Sequence, residues 1–251
     1  MEKIKTLVYN DALEGSKYIA KKIQELIEKN NKQNKKTVLG LATGSSPLKL
    51  YAELIRLHKE ENLSFTNVIS FNLDEYFPMK PDAVQSYHKF MFDNLFNHID
   101  IKKENVNIPD GTLNEANVVA FCNQYESKID AAGGLDLQIL GIGRTGHIGF
   151  NEPGSAENSI TRMVVLNDVT RTDAANDFGS KENVPVKAIT MGVGTILKAK
   201  QVYLFAWGEK KASIVAESIN GAITDQVPAT FLQKHKNTTF ILDKAASVVP
   251  A

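Results

Sequence analysis

The sequence predicts an α/β protein with one mainly parallel, open sheet flanked by helices, of the Rossmann-like class. Short apolar runs alternate with helical patterns along the chain, and this alternation is typical of strand–helix–strand units. No linker, repeat or low-complexity segment interrupts the 251 residues, so we expect a single domain over residues 1–251. A chain of this length with 43% hydrophobic residues can bury a substantial core.

Eight segments are predicted to be strands because they are short, apolar and bounded by turn residues. Residues 4–9 alternate between apolar and polar side chains, whereas residues 136–140 end in the continuous apolar run that a buried parallel strand favours. The predicted strands span residues 4–9, 37–42, 68–73, 136–140, 160–166, 188–191, 201–207 and 238–243.

Four helices follow from start signals and apolar spacing. Asp11 and Glu14 form a capping-box pattern before a long amphipathic stretch. Ser46 and Pro47 occupy the cap and first-turn positions that suit the next helix. Residues 86–97 and 114–131 also show helical spacing. The second of these stretches contains Cys122, which we interpret as a packed thiol.

Composition excludes several classes of partner. Lys plus Arg equals Asp plus Glu at 29 each, so the chain lacks the basic excess of a nucleic-acid-binding protein. No stretch reaches the roughly 18 apolar residues of a membrane span. The single cysteine points to a reducing compartment, and Met1 to Ile4 begin no signal sequence, so we expect a cytoplasmic protein. The one cysteine and five scattered histidines offer no zinc-type ligand spacing, and no metal is expected.

Residues 141–153 (GIGRTGHIGFNEP) are the strongest functional signal. They follow a predicted buried strand, and open α/β folds bind ligands at the carboxyl ends of their strands. Within this glycine-rich loop, His147 and Glu152 are candidate acid–base groups. The spacing of Gly141, Gly143 and Gly146 matches a dinucleotide fingerprint, but residues 149–153 break any following helix. We therefore predict no nicotinamide cofactor.

Three other strand ends carry polar clusters. Thr43, Gly44, Ser45 and Ser46 lie between a strand and a helix, where free N–H groups and hydroxyls favour an anion, although Ser46 alone could be an ordinary cap. Residues 74–75 are two acids that would point to opposite faces of a continuing strand, so that one can face a substrate. Residues 207–212 place lysines before a helix, where one could reach a phosphate, or all could be solvated.

These segments together resemble the glucosamine-6-phosphate deaminase family. The matching segments are residues 42–47 (ATGSSP), 71–76 (FNLDEY), 86–87 (SY), 146–153 (GHIGFNEP), 191–195 (MGVGT) and 211–212 (KA). The resemblance runs from about residue 4 to about residue 243, and FNLDEY and GHIGFNEP are specific to this family. The wider superfamily, with 6-phosphogluconolactonase and ribose-5-phosphate isomerase, shares the fold but differs at these positions.

The resemblance implies a cofactor-free conversion of glucosamine 6-phosphate and water to fructose 6-phosphate and ammonia. In the family, the residue matching His147 opens the sugar ring, and the residue matching Asp74 removes the C2 proton. The residue matching Glu152 orients the histidine and sets its charge. The substrate-binding residues that the resemblance implies are Thr43, Gly44, Ser45, Ser46, Glu75, Tyr87, Gly143 and Lys211, with Lys211 opposite the phosphate.

Three positions depart from well-studied members. Thr145 stands where those members have an aspartate in the network of the histidine, and a threonine supplies no negative charge. A phosphate-binding arginine of some members aligns near Asn176, and Arg171 is the nearest upstream candidate to replace it. Members activated by N-acetylglucosamine 6-phosphate carry a lysine where this chain has Val164.

Two alternatives remain open at this point. One is a related enzyme, such as a galactosamine-6-phosphate deaminase or isomerase, because the sequence does not specify hexose stereochemistry. The other is a non-catalytic sugar-phosphate sensor on the same scaffold, against which the joint presence of Asp74, His147 and Glu152 argues. The family includes both monomers and homo-oligomers, and the sequence does not choose between them.

Overall fold

A seven-stranded parallel sheet forms the centre of the protein, which the computed structural model describes over residues 4–248. Its strands are β1 (Lys5–Tyr9), β2 (Thr37–Leu41), β3 (Val68–Asn72), β5 (Val106–Asn107), β6 (Leu137–Leu140), β9 (Val202–Ala206) and β10 (Thr238–Asp243). They lie in the order β1-β10-β9-β6-β2-β3-β5, and every pairing is parallel. The predicted open parallel sheet is confirmed. The expectation about a signal sequence concerns residues 1–3, which lie outside the described residues.

A second, antiparallel sheet was not predicted. It contains β4 (Asp74–Phe77), β7 (Arg162–Val165) and β8 (Lys187–Thr190), in the order β4-β8-β7. Leu73 joins the two sheets: its N–H donates to Leu41 of β2 over 2.9 Å, and its carbonyl accepts from Met191 over 2.7 Å. The chain therefore passes from β3 to β4 through one residue, and the acids at positions 74–75 begin a strand rather than end one.

The helices cover the faces of the parallel sheet and fill the connections between strands. They are α1 (Ala12–Lys32), α2 (Leu48–Glu61), α3 (Tyr87–Asn94), α4 (Val118–Ala131), α5 (Asp168–Ala174), α6 (Val193–Leu197), α7 (Ala212–Asn220) and α8 (Lys244–Ser247). The Asp11 carboxylate caps α1 by accepting from Leu13 and Glu14 N–H groups, as predicted. The predicted Ser46 cap is wrong, because α2 begins at Leu48 and the preceding Pro47 makes no side-chain cap.

The core lies between the parallel sheet and the helices and is built from large side chains that are fully buried. Tyr51 of α2 and Phe71 of β3 belong to it. Cys122 is buried in α4, and burial raises the pKa of its thiol to about 11, which fits the predicted packed thiol. Within residues 4–248, no helix combines the length and apolar character of a membrane span.

The strand order reverses between β2 and β6. Within the parallel sheet, β3 lies on one side of β2. The strands β9 and β10, which follow β6 after the chain has passed through β7 and β8 of the second sheet, lie on the opposite side of β6. The loops after these two strands consequently diverge and leave a crevice at the carboxyl edge of the sheet. Such a switch point is where open α/β sheets place their ligands.

Candidate active site

A cavity of about 350 Å³ occupies this switch point. Its walls come from the loops that follow β2, β3, β6 and β9, together with α3 and the segment around α5. The predicted site residues that line it are Thr43, Gly44, Ser45, Ser46, Asp74, Tyr87, Gly143, His147 and Lys211. The other three, Glu75, Thr145 and Glu152, do not line this cavity. The structure thus brings nine of the twelve predicted residues together around one cavity.

Asp74 is the carboxyl group that faces the cavity from the sheet. It is the first residue of β4, pairs with Thr190 of β8 and is buried. Burial and, to a smaller extent, the neighbouring Glu75 charge raise the pKa of this carboxyl to about 8. The nearby Phe150 N–H, which donates to the Thr190 hydroxyl over 3.1 Å, opposes the rise. The site therefore contains a carboxylate of unusually high basicity.

Glu75 faces away from Asp74, as residues adjacent in a strand do. Its carboxylate accepts from the N–H groups of Tyr87 at 3.0 Å and His88 at 2.9 Å, and from the Ser86 hydroxyl at 2.8 Å. Its side chain is buried and does not line the active-site cavity. Glu75 therefore does not face this cavity as the substrate contact expected from the sequence would, and its carboxylate holds the start of α3 in place.

Tyr87 is the residue that this anchoring positions. Its ring is stacked on Phe150 at an interplanar angle of 9° and a centroid distance of 5.9 Å. Its hydroxyl is 3.4 Å from the hydroxyl of Tyr76 and is also hydrogen-bonded to the Thr43 side chain. The phenol therefore joins the loop after β2 to the apolar wall of the cavity, and burial raises its pKa well above the ordinary value.

His147 lies against the backbone of Gly143. A Cβ atom on Gly143 would be 2.0 Å from the imidazole, so only glycine leaves room for the ring. The hydroxyl of Thr145 and Nδ1 of His147 are hydrogen-bonded at 3.0 Å. Burial and, to a smaller extent, the charge of Lys211 lower the pKa of His147 to about 4, while Asp173 opposes both. The imidazole is therefore neutral at ordinary pH. Because Thr145 is bonded to Nδ1, Nε2 remains available to a ligand.

Glu152 is buried next to this loop but bonds elsewhere. Its Oε2 accepts from the Asn167 N–H over 2.7 Å, and no partner is present for Oε1 within the described residues. Glu152, expected to orient His147 and set its charge, makes no hydrogen bond to the imidazole. Thr145 takes that position, because the tight turn that contains it brings its hydroxyl to Nδ1.

The loop after β2 forms the polar wall opposite the histidine. Gly44 has a φ of +93°, a conformation that favours glycine, and Ser45 and Ser46 follow it. Because α2 has no side-chain cap, the N–H groups of its first turn carry the positive end of the helix dipole uncompensated by a side chain. The arrangement favours an anion, as the sequence predicted.

Lys211 supplies a cation at the cavity. Its Nζ donates to the carbonyl of Ile142 over 2.7 Å. Burial lowers the pKa of this amine, the nearby Asp173 carboxylate raises it, and the charge of Arg144 lowers it. One bond to a carbonyl leaves two of the three ammonium hydrogens for a ligand.

Sequence reasoning missed three charged residues of the cavity, Arg144, Asp173 and Asp177. Arg144 and Asp173 form an ion pair at 3.0 Å. The sequence contained one usable signal, the position of Arg144 inside the glycine-rich loop. Arg171, the expected phosphate ligand, donates instead to the carbonyls of Lys181 and Val184 and does not line the cavity. That expectation is wrong, because α5 turns the guanidinium toward the following loop.

Comparisons with known proteins identify the family of the chain. A family model of glucosamine-6-phosphate isomerases and 6-phosphogluconolactonases matches residues 10–241. A glucosamine-6-phosphate deaminase of Thermoanaerobacter sp. is 51% identical over 233 residues, which are 92% of this chain and 91% of that protein. A glucosamine-6-phosphate deaminase-like protein of Bacteroides thetaiotaomicron is 47% identical over 99% of this chain, which spans only 37% of that protein. A solved monomeric glucosamine-6-phosphate deaminase superposes with a TM-score of 0.92 at 41% identity, covering 97% of this chain and 99% of its own. The chain therefore belongs to the family of glucosamine-6-phosphate isomerases and 6-phosphogluconolactonases.

Proposed function

We propose that the chain converts glucosamine 6-phosphate and water to fructose 6-phosphate and ammonia, without a cofactor. The observation that carries the proposal is the pairing, within one cavity, of a buried basic carboxyl with a neutral imidazole. Asp74 has a pKa of about 8 and His147 a pKa of about 4. The loop of residues 43–46 and Lys211 would receive the phosphate at the same cavity. The names of the relatives support the same reaction.

Ring opening is the first step of the proposed reaction. A neutral imidazole can accept the proton of the O1 hydroxyl at Nε2 and return a proton to the ring oxygen. This breaks the bond between C1 and the ring oxygen and leaves the open-chain aldehyde. The low pKa of His147 suits this role, since a protonated ring could not accept the first proton.

Proton transfer between carbons is the second step. The Asp74 carboxylate removes the C2 proton, which gives an enolamine, and the proton returns to C1. The resulting iminium at C2 adds water and releases ammonia, so that the ketone forms. The raised pKa of Asp74 increases its strength as a base, and the ammonium group of a bound amino sugar would stabilise the carboxylate form.

The test is an assay of the purified protein for ammonia and fructose 6-phosphate. We expect both products in equal amounts from glucosamine 6-phosphate, and their absence would contradict the proposal. Galactosamine 6-phosphate is the second substrate to test, because hexose stereochemistry at C4 is the open alternative. Binding of either sugar without ammonia release would favour the sensor.

Two separate measurements address the remaining expectations. The solution mass of the purified protein would decide between a monomer and a homo-oligomer. Fractionation of cells would test the expected cytoplasmic location.

A further inference from the structure

The cavity is lined by more acidic than basic side chains, although its proposed ligand carries a phosphate. Besides Asp74, its lining includes the acids Asp173 and Asp177 and the cations Arg144 and Lys211. A phosphate monoester carries nearly two negative charges at neutral pH, and several cationic groups must converge on it for firm binding. Lys211 alone offers one positive charge, and part of its donor capacity is used by the Ile142 carbonyl.

Arg144 is placed to supply the second charge. The N–H of Gly146 donates to the carbonyl of Gly143 over 3.0 Å, which closes a tight turn with residues 144 and 145 at its centre. Thr145 points inward to His147, whereas Arg144 lines the cavity. The charge of Arg144 lowers the pKa of Lys211, so the two cations are close enough to interact.

The ion pair of Arg144 with Asp173 leaves the guanidinium able to bind a ligand. Its Nη2 is 3.0 Å from Asp173, and the two side chains are 62% and 47% exposed. An exposed ion pair of this kind is weak because solvent screens it, and it uses only part of the five N–H donors of a guanidinium. The remaining donors can bind two phosphate oxygens in the bidentate geometry that arginine favours.

We propose that Arg144 binds the phosphate of the hexose 6-phosphate, together with Lys211 and the loop of residues 43–46. Arg144 thereby takes the role expected of Arg171, whose guanidinium is bound to the carbonyls of Lys181 and Val184. This inference rests on the proposed function for the identity of the ligand. It adds a specificity residue from the glycine-rich loop, on the same turn as Thr145, which contacts the ring-opening histidine.

One turn of the glycine-rich loop connects the proposed phosphate site to the proposed ring-opening site. Arg144 and Thr145 are neighbours in one turn, and Thr145 is bonded to His147. A phosphate held by Arg144 would therefore restrain the loop that carries the imidazole. Asp173 neutralises part of the positive charge of Arg144 when no ligand is bound. Its removal should consequently leave phosphate binding as strong or make it stronger.

The test is calorimetric binding of fructose 6-phosphate and of inorganic phosphate to the full chain. We compare the wild type with Arg144→Gln, Arg144→Lys and Asp173→Asn. The matched control is Arg56→Gln, because Arg56 also forms exposed ion pairs but lies on α2 outside the cavity. Loss of charged hydrogen bonds worth about 1.5–3 kcal/mol should weaken binding by roughly 10- to 100-fold in Arg144→Gln. Arg144→Lys should be intermediate, since lysine is a point charge.

The possible results divide clearly. Weaker binding in Arg144→Gln with unchanged or tighter binding in Asp173→Asn supports the proposal. Equal affinities in Arg144→Gln and the wild type overturn it, and so does an equal loss in both variants, which would show that the ion pair only holds the loop. A wild type that binds neither ligand also overturns it. Ammonia release is measured separately, so a protein that binds fructose 6-phosphate through Arg144 but releases no ammonia would refute only the proposed function.

Discussion

Replacing Asp74 by asparagine should stabilise the protein while it removes the proposed catalytic base. The carboxyl is buried, and its pKa rises from 3.8 to about 8 on folding. Between these two values the folded protein keeps a proton that the unfolded chain has released. Because the folded state then binds more protons, stability falls as pH rises from about 4 to about 8. An uncharged asparagine has no such dependence.

The size of the effect follows from the same shift. One pKa unit corresponds to about 1.4 kcal/mol, so the buried charge costs at most about 6 kcal/mol above pH 8. Local relaxation and water entry reduce such costs, and we expect about 2–4 kcal/mol. Asparagine has nearly the same shape as aspartate and carries no charge, so it can occupy the same buried position.

The assay is urea unfolding of the wild type and Asp74→Asn at pH 4.5, 6.5 and 8.5. The control is Asp93→Asn, an exposed aspartate that pairs with Lys89 on α3. The wild type and Asp74→Asn should have nearly equal free energies of unfolding at pH 4.5, and Asp74→Asn should be the more stable of the two at pH 8.5. Asp74→Asn should also lose ammonia release and C2-hydrogen exchange by orders of magnitude. A stability difference that does not change with pH would refute the reasoning from burial, and exchange at the wild-type rate would refute the assignment of the base.

Four further outcomes are expected. His147→Gln should slow turnover of the cyclic sugar but still bind an open-chain amino-alcohol analogue, and an equal loss of both would point to a structural role. Gly143→Ala should reduce turnover strongly, because its Cβ would be 2.0 Å from the imidazole and must displace it; unchanged steady-state rates would contradict this geometry. N-acetylglucosamine 6-phosphate should not activate the enzyme, since Val164 carries no charge and the Arg162 guanidinium already donates to Asn151 and Ser155; a sigmoidal velocity curve made hyperbolic by the effector would argue otherwise. A strong chelator should leave activity unchanged, because the His, Cys, Asp and Glu side chains of residues 4–248 form no group of three or more that could hold a metal ion; activity lost to the chelator and restored by a divalent ion would count against this.

Local patterns were sufficient for most of the parallel sheet and for the chemistry at its edge. The strand predictions at residues 4–9, 37–42 and 238–243 agree with β1, β2 and β10 within one residue at either end. β2 and β10 are buried and show as apolar runs, whereas β1 is partly exposed at the edge of the sheet and shows as an alternation. Once the sheet is parallel, the loops after its strands must share one edge. The gathering of Asp74, His147 and the loop of residues 43–46 in one cavity follows from that.

The antiparallel sheet could not be predicted from local pattern. β4, β7 and β8 contain four residues each. A segment this short carries no pattern that shows its partner, and β4 pairs with a strand more than 100 residues further along the chain. This pairing decides that Asp74 faces the cavity while Glu75 anchors α3. The sequence predicted that the two acids would point to opposite faces, but the tertiary structure decided which face holds the substrate site.

The partners of polar side chains were likewise decided by packing. From the sequence alone, Glu152 was expected to orient the histidine, and Arg171 was the candidate for the phosphate. In the structure Thr145 bonds the histidine, and Arg144, not Arg171, lines the cavity. A long side chain can reach many acceptors, and the choice depends on how its helix or loop is oriented. The sequence by itself determined the parallel sheet, the glycine-rich loop and the candidate residue types of the site. Only the tertiary structure decided which atoms meet, because hydrogen-bond partners are selected by distances between segments remote in the chain.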